Sequence, residues 1–315
     1  MMALPYRPFT ENEFLYLGLE LRSNGRSNRW KTVKLESQIV NFQAAYTAHP
    51  KTLAAIWHDL QMTPLLELRI DASIKPDHML LAYRWLTAYE SEKDINVTYG
   101  YGEKSIRKAC RDVTAKIAAL RKIKIDPNWE DDDGVVLGVS VDGVHYKIDE
   151  PQPFSTKYCS YKDGGPGLVY EIGLYTHKDK VAWLNGPYPA ATHDRDVFRI
   201  KLHGAIKKKQ EDRGNNFKVI VDDGYTANDL LSVCSLRNEF DPRELAWYKD
   251  WALSREEKFN GLTKCYKVLT KKFRHDRGFN PNQEHPRHKA VVEAICVTLQ
   301  YELDLKVKKL FDPFP

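Results

Sequence analysis

The sequence predicts a mixed α/β domain preceded by an all-helical N-terminal region. Three observations carry this. Up to about residue 125, apolar residues recur at helical spacing. Beyond residue 134, β-branched and aromatic runs alternate with helical stretches. Between them lies PNWEDDDG, polar and rich in turn formers. We place the boundary there, giving a helical region at 1–127 and an α/β domain at 128–315.

In the first region NFQAAYTAHP, KTLAAIWHDLQ and HMLLAYRWLTAYE are amphipathic or apolar at helical spacing. The segment after YGYGE is clearer. Ile106, Cys110, Val113, Ile117 and Leu120 recur at steps of three and four, so they line one face of a helix. Lys104, Arg107, Lys108 and Arg111 decorate its start, and a turn with Gly100 and Gly102 joins it to a short preceding helix. That suits a helix-turn-helix whose second helix enters a DNA major groove. The same spacing also fits a bundle with a solvated basic face.

In the second region the expected strands are VVLGVSV (135–141), VHYKI (144–148), GLVYEIGLYT (167–176) and VAWLNG (181–186). Asp142-Gly143 stands between the first two as a hairpin turn would. HDRDVFRIKLHGAI reads helical, KVIVDD reads as another strand, and helices are expected around 254–275 and 288–305. Lys207, Lys208 and Lys209, in KKKQEDRG, read as a solvated loop.

Composition sets outer limits. With 315 residues, 42% of them apolar and 29% charged, the chain can form one large domain or two smaller ones. Its five cysteines include no CxxC pair, which argues against a disulfide framework or a cysteine zinc site. His275, His285 and His288 are spread through a polar stretch without cysteine partners, so zinc is not expected there either. The N-terminus lacks a signal-peptide core, and no apolar run approaches the roughly 20 residues of a membrane span. A soluble, intracellular protein is expected. Net charge is +5; residues 1–127 hold 19 Lys and Arg against 14 Asp and Glu, and the remainder balances at 29 and 29. The mildly basic N-terminal half is compatible with nucleic acid.

Two carboxylates follow apolar strand patterns, Asp142 after VSV and Asp222 after VIV. Strand ends are where α/β sheets place ligands. If the two strands are neighbours the carboxylates meet, and a divalent cation of the Mg²⁺ type would offset their repulsion. Glu257, in SREEKFNGLTKCYKVLTKKFRH, is the expected third ligand. It lies opposite an apolar face of Phe259, Leu262, Tyr266, Leu269 and Phe273, and its i+3 and i+4 neighbours, Asn260 and Gly261, are not cationic. A close approach of a backbone or ligand would explain Gly261 inside a helix. Glu256 is the alternative third ligand. Asp194 and Asp196 are expected to be helix N-terminal residues rather than ligands.

The series Asp142, Asp222, Glu257, with 34 residues between the last two, resembles the DDE triad of transposases and integrases. Local motifs resemble the PIF/Harbinger-like DDE endonucleases and their eukaryotic relatives. VDGVHYKIDEP is similar to the first-Asp segment, VDDGY to D-x-G-Y, REEKFNGLTKCYKVLTKKFRH to the R-H-E-x-x-N-G-R-L-K-x-F segment, and THDRDVF to an H-D element before a helix. Glu256 stands where the family has His, and Leu262-Thr263 where it has Arg-Leu.

The resemblance implies an RNase H-like core, a central mixed sheet flanked by helices. It implies two-metal cleavage and joining of DNA phosphodiester bonds, with Mg²⁺ or Mn²⁺ held by Asp142, Asp222 and Glu257. Double-stranded DNA of transposon ends or target is the implied partner, with Lys104, Arg107, Lys108, Arg111, Lys264, Lys271 and Arg274 as DNA-binding residues. A homo-oligomer, a separate DNA-binding accessory protein and a nuclear or cytoplasmic location belong to the same picture. The two departures beside Glu257 keep a second reading open, a transposase-derived protein that binds DNA or recruits a partner without cutting. A third is a nuclease acting on RNA or hybrids.

Overall fold

A computed structural model describes residues 8–23, 29–125, 129, 136–160, 162, 164–213, 217–225, 232–234, 241–274 and 285–310. The chain divides into two compact units. The first takes Met1–Arg121 with Cys265–Val268 and Ala290–Val307; the second takes Lys122–Lys264, Leu269–Lys289 and Lys308–Pro315.

The first unit is helical. Its N-terminal part holds α1 (Glu11–Ser23), α2 (Leu35–Tyr46), α3 (Pro50–Met62), α4 (Pro76–Ala88), α5 (Glu92–Tyr99) and α6 (Glu103–Ala119). A four-residue turn, α7 (Arg121–Lys124), follows. α4 is buried nearly all round, with Met79, Leu80, Leu81, Ala82 and Tyr83 buried in succession, while α6 buries the stripe of Ile106, Cys110, Val113 and Ile117 that its spacing requires. Ser91 and Asp94 form a capping box that starts α5, and Gly100 ends it at φ 74°. Gly102 caps α6, so α5 and α6 are joined by a three-residue turn. Tyr83 Oη meets Thr298 Oγ1 at 2.7 Å, and the His49 N–H donates to Glu302 at 3.1 Å. These bonds tie the 290–307 segment to the other helices of this unit. No described helix is long and apolar enough to cross a membrane.

The second unit is built on a six-stranded sheet. Its strands are β1 (Val139–Lys147), β2 (Cys159–Ser160), β3 (Gly165–Tyr175), β4 (Val181–Pro189), β5 (Val219–Val221) and β6 (Ser232–Cys234). The order is β2-β3-β1-β5-β6, with β4 pairing β3. β1, β3 and β4 are antiparallel; β5 runs parallel to β1, and β6 parallel to β5. Helices α8 (Asp194–Ile200), α9 (Leu202–Arg213), α10 (Arg243–Thr263), α11 (Lys267–Thr270) and α12 (Pro286–Asp304) complete the chain.

Alternation sorts the side chains of β1. Val139 and Val141 pack with Phe198, Leu202, Ile206, Phe217 and Trp129 on the α8–α9 side. Ser140, Asp142 and Tyr146 point the other way and bond to Glu256, Asn260 and Thr263 of α10. Arg255 fastens α10 at one rotation. It is buried, and it donates to the carbonyls of Tyr175, Thr176 and Lys178 and to the Asp179 carboxylate at 2.6–2.9 Å.

Three expectations need correction. Asp142-Gly143 is no hairpin turn and Asp142 does not end a strand. β1 runs unbroken through them, in register with β3 from Val139↔Tyr175 to Lys147↔Gly167. Nine consecutive ladder pairs outweigh the turn preference of two residues. The helix expected over 254–275 stops at Thr263, because Phe273 bridges Ile148 and so pulls its segment out along the end of β1. Lys207, Lys208 and Lys209 lie within α9 rather than in a loop, and Lys209 is buried with its Nζ donating to the Trp129 carbonyl. Of the two reasons expected for Gly261, a close backbone is not found among the described residues, where a Cβ would meet open space. The boundary segment PNWEDDDG lies outside the described residues except for Trp129, which is buried with its Nε1 donating to Ala182 O at 3.0 Å.

Replacing Arg255 with Ala strands two buried carbonyls, those of Tyr175 and Thr176, the part-buried carbonyl of Lys178 and an acidic partner. We expect Arg255→Ala to lower the unfolding free energy by about 3–5 kcal/mol, read from the urea midpoint. A change within about 0.5 kcal/mol, the range of ordinary surface substitutions, would show that α10 is held by packing alone.

Candidate active site

β1 and β5 pair in parallel with Val139 opposite Val219 and Ser140 opposite Ile220. Asp142 and Asp222 each come three residues after the first of these pairs, so the register brings them side by side. Adjacent strands lie about 4.8 Å apart. Each carboxylate turns back on the glycine that follows it. Gly143 N–H donates to Asp142 Oδ1 at 2.8 Å, and Gly224 N–H to Asp222 Oδ1 at 3.0 Å. Asp142 Oδ2 accepts from Asn260 Nδ2 at 2.9 Å.

The electrostatics follow from this placement. Burial pushes the Asp142 carboxyl up to about 6, and the charges of Asp222 and Asp194 add to the rise. Burial raises Asp222 as well, and the charge of Asp194 adds most to the rise after it. Lys162 is the described cation whose charge works against both shifts. Glu171, fully buried in β3 opposite Gly143, is raised to about 7 by burial despite the Trp183 Nε1 donor at 2.7 Å.

Glu256 and Glu257 part company. Glu256 is buried on the sheet side of α10, where its Oε1 accepts from Ser140 Oγ and Leu174 N–H, both at 2.8 Å. Burial holds its carboxyl well above the usual range. Glu257 is exposed one position on. Among the described residues, no three His, Cys, Asp or Glu side chains converge closely enough to hold one ion, so the Asp142, Asp222 and Glu257 trio is not drawn around a single point. Lys264, Lys271 and Arg274 are exposed. Lys104, Arg107, Lys108 and Arg111 are exposed on α6; Arg107 pairs with Glu92, and Lys108 and Arg111 with Asp112. His288 is buried, stacked on Tyr170 and bonded to its hydroxyl at 2.8 Å. His285 meets the Tyr158 hydroxyl at 3.2 Å, and His275 lies outside the described residues.

A family model described as DDE superfamily endonuclease matches residues 141–300. The chain belongs to the DDE superfamily endonucleases. No curated protein and no solved structure matches it. The matched span opens at Val141, directly before Asp142, and contains Asp222 and both Glu256 and Glu257. By chemical type the donors suit a hard divalent cation, although among the described residues no three of the carboxylates converge on one point. The donors are oxygens, and two of them, Glu256 Oε2 and Asn260 Oδ1, are buried near Asp142 with no hydrogen-bond partner among the described residues.

Sequence reasoning passed over Asn260, Lys162 and Glu171. Glu171 carried a readable signal, a lone carboxylate inside the apolar run GLVYEIGLY. Lys162 carried none, since it comes from a turn beside β3.

The raised carboxyls fix a pH response. A folded-state pKa above the unfolded one means that the folded chain holds the proton more tightly. The stabilisation is complete below about pH 4 and is lost as pH rises through about 6 to 7. We expect the melting temperature, without divalent cations, to fall between pH 5 and pH 8. Glu171→Gln should flatten this profile by removing a contribution on the order of 3 kcal/mol. Melts in a series of buffers check it, and a profile no flatter in Glu171→Gln than in wild type would count against the assignment.

Proposed function

We propose that the protein is a divalent-metal-dependent DNA endonuclease of transposase type that cleaves and joins phosphodiester bonds. The observation that carries this is the pairing of Asp142 and Asp222 on neighbouring parallel strands within the matched endonuclease span. Three antiparallel strands followed by two parallel ones, with a helix packed against the central strand, support reading the domain as RNase H-like. The motifs support membership of the PIF/Harbinger-like branch.

Asp142, Asp222 and Glu257 would hold Mg²⁺ or Mn²⁺, which supplies an activated water or 3′-hydroxyl and stabilises the departing oxygen. Asn260 Nδ2 holds one oxygen of Asp142 and leaves the carboxylate a single orientation. Glu256, bonded into the sheet, fixes α10 so that Glu257 faces solvent, the side from which DNA arrives. Lys162, whose charge works against the rise of both aspartates, would meet a backbone phosphate.

Purified protein supplied with Mg²⁺ or Mn²⁺ should cut duplex carrying the element's own terminal repeats. Asp142→Asn and Asp222→Asn should each lower the rate at least about 10³-fold, the scale on which loss of a charged catalytic group acts, with DNA affinity kept. Binding without cutting by wild type would favour the second reading, a transposase-derived protein that binds DNA or recruits a partner. The observation behind that reading is Glu256, which stands where the family has His and is buried rather than facing DNA.

The α5–α6 turn and the exposed cations of α6 support DNA contact by the helical region. Replacing Lys104, Arg107, Lys108 and Arg111 with Ala should weaken duplex binding. It should also reduce the slope of log affinity against log salt by about one for each phosphate no longer neutralised. Fluorescence anisotropy across a salt series reads it, and an unchanged slope would remove this face from the interface.

A further inference from the structure

Two buried oxygens near Asp142 lack donors, and both belong to α10. Glu256 is fully buried, and its Oε1 accepts from Ser140 Oγ and the Leu174 N–H, both at 2.8 Å. Its Oε2 has no hydrogen-bond partner among the described residues. Asn260 is 6% exposed, and its Nδ2 donates to Asp142 Oδ2 at 2.9 Å. Its Oδ1 has no partner among the described residues either. A buried oxygen without a donor has lost its bonds to water and replaced none of them, so each calls for a partner.

Helix geometry makes the two side chains neighbours. Glu256 and Asn260 are four residues apart in α10, so they stand one above the other with Cβ atoms about 5–6 Å apart. Both reach the same face of β1. Glu256 ends on Ser140, and Asn260 ends on Asp142, two residues further along that face. Each polar head is thus fixed at one end on the sheet, and the oxygens left over belong to adjacent side chains. Two acceptors cannot bond each other without a proton on one of them. Asn260 cannot supply it, because an amide oxygen carries no hydrogen and Nδ2 is held on Asp142. Glu256 can. As the acid, it keeps Oε1 as the acceptor for Ser140 and Leu174 and turns Oε2 into a donor.

We propose that Glu256 and Asn260 form a positioning chain onto Asp142. The Glu256 Oε2–H donates to Asn260 Oδ1, directly or through one water, and so keeps Nδ2 on the Asp142 carboxylate. Neither residue touches DNA in this arrangement. Both act through Asp142, whose role rests on the metal-dependent reading above. Without the chain, the Asn260 amide can turn over and set its oxygen against the carboxylate, which repels it. With the chain, Asp142 keeps one orientation. The two α10 oxygens satisfy each other, and the cation is left to Asp142, Asp222 and Glu257.

The test is a double-mutant cycle on the full chain, read in two ways. The first is the urea midpoint without metal. Glu256→Leu and Asn260→Leu should each lower it. The double variant should lower it by clearly less than their sum, because either change alone already breaks the bond. Glu256→Gln should recover most of the Glu256→Leu loss, since its amide keeps an acceptor for Ser140 and Leu174 and offers an N–H to Asn260 Oδ1. The second reading is duplex cutting with Mn²⁺. Glu256→Leu and Asn260→Leu should each lower kcat about 10–100-fold, the scale on which partners of metal-holding groups act, with KM little changed. Glu256→Gln should restore most of that loss, and it serves alone if Glu256→Leu does not fold. Additive midpoints overturn the proposal. So does a Glu256→Gln variant that cuts as slowly as Glu256→Leu and loses Mn²⁺ in calorimetric titration, because Oε2 is then a ligand of the cation. Non-additive midpoints in a wild type that neither cuts duplex nor takes up Mn²⁺ leave the chain in place and remove only the metal-dependent reading.

Discussion

The second unit depends on how two consecutive residues fix the rotation of one helix. Arg255 and Glu256 are both buried in α10, and their side chains reach different parts of the sheet. The guanidinium closes on the carbonyls at the turn after β3, and the carboxyl accepts from β1 and β3. A planar guanidinium satisfies several acceptors at once, which a lysine could not do. With both anchored, α10 has one rotation available. Asn260, one turn after Glu256, then falls on Asp142, and Glu257, about 100° round the helix, falls outside. The placement of the site's α10 side follows from this one attachment.

Burial of the anchors also sets the charge state around Asp142. An ionised Glu256 beside an ionised Asp142 in the same dry layer would be costly. Burial raises the Glu256 carboxyl and so favours its neutral form, which keeps the hydrogen bonds to Ser140 and Leu174. The negative charge of the centre is thus carried by Asp142 within β1 and Asp222 just after β5, with Asp194 against the glycines that follow them. Lys162 tempers it only in part, since both aspartates are still raised. A group of acids poorly balanced by protein cations is costly to the fold and suited to taking up a cation, and the two properties have one cause.

Much of this was legible in the sequence where local pattern and tertiary demand agree. The apolar face of α6, strands β3 and β4 and the junction of Val219–Val221 with Asp222 follow from periodicity alone. The reading failed where tertiary pairing overrode local preference. Asp142-Gly143 has turn chemistry, yet nine ladder pairs with β3 carry the chain straight through it. The periodicity through Phe259, Tyr266 and Phe273 suggested one helix, because all three residues are buried, although they are buried in separate elements. Lys209 in a lysine run looks solvated, but the α9 face it shares with Leu202 and Ile206 turns it inward. Asn260 could not be ranked above other polar helix residues until the rotation of α10 was known.

The Asp-Gly and Asp-Asp-Gly steps show why such motifs mislead when read singly. A glycine after an aspartate suggests a turn because of its backbone freedom. Neither Gly143 nor Gly224 has a positive φ, so neither is there for an unusual backbone angle. What each supplies is an absent side chain. On β1 that absence leaves the strand intact and opens a notch on one face; after β5 it opens the same notch from the neighbouring strand. Asp194 fills both at once. Two glycines 81 positions apart in the chain therefore answer one steric requirement, set by a carboxylate from a third segment. Local sequence could show each glycine, and only the fold shows that they serve the same oxygen pair.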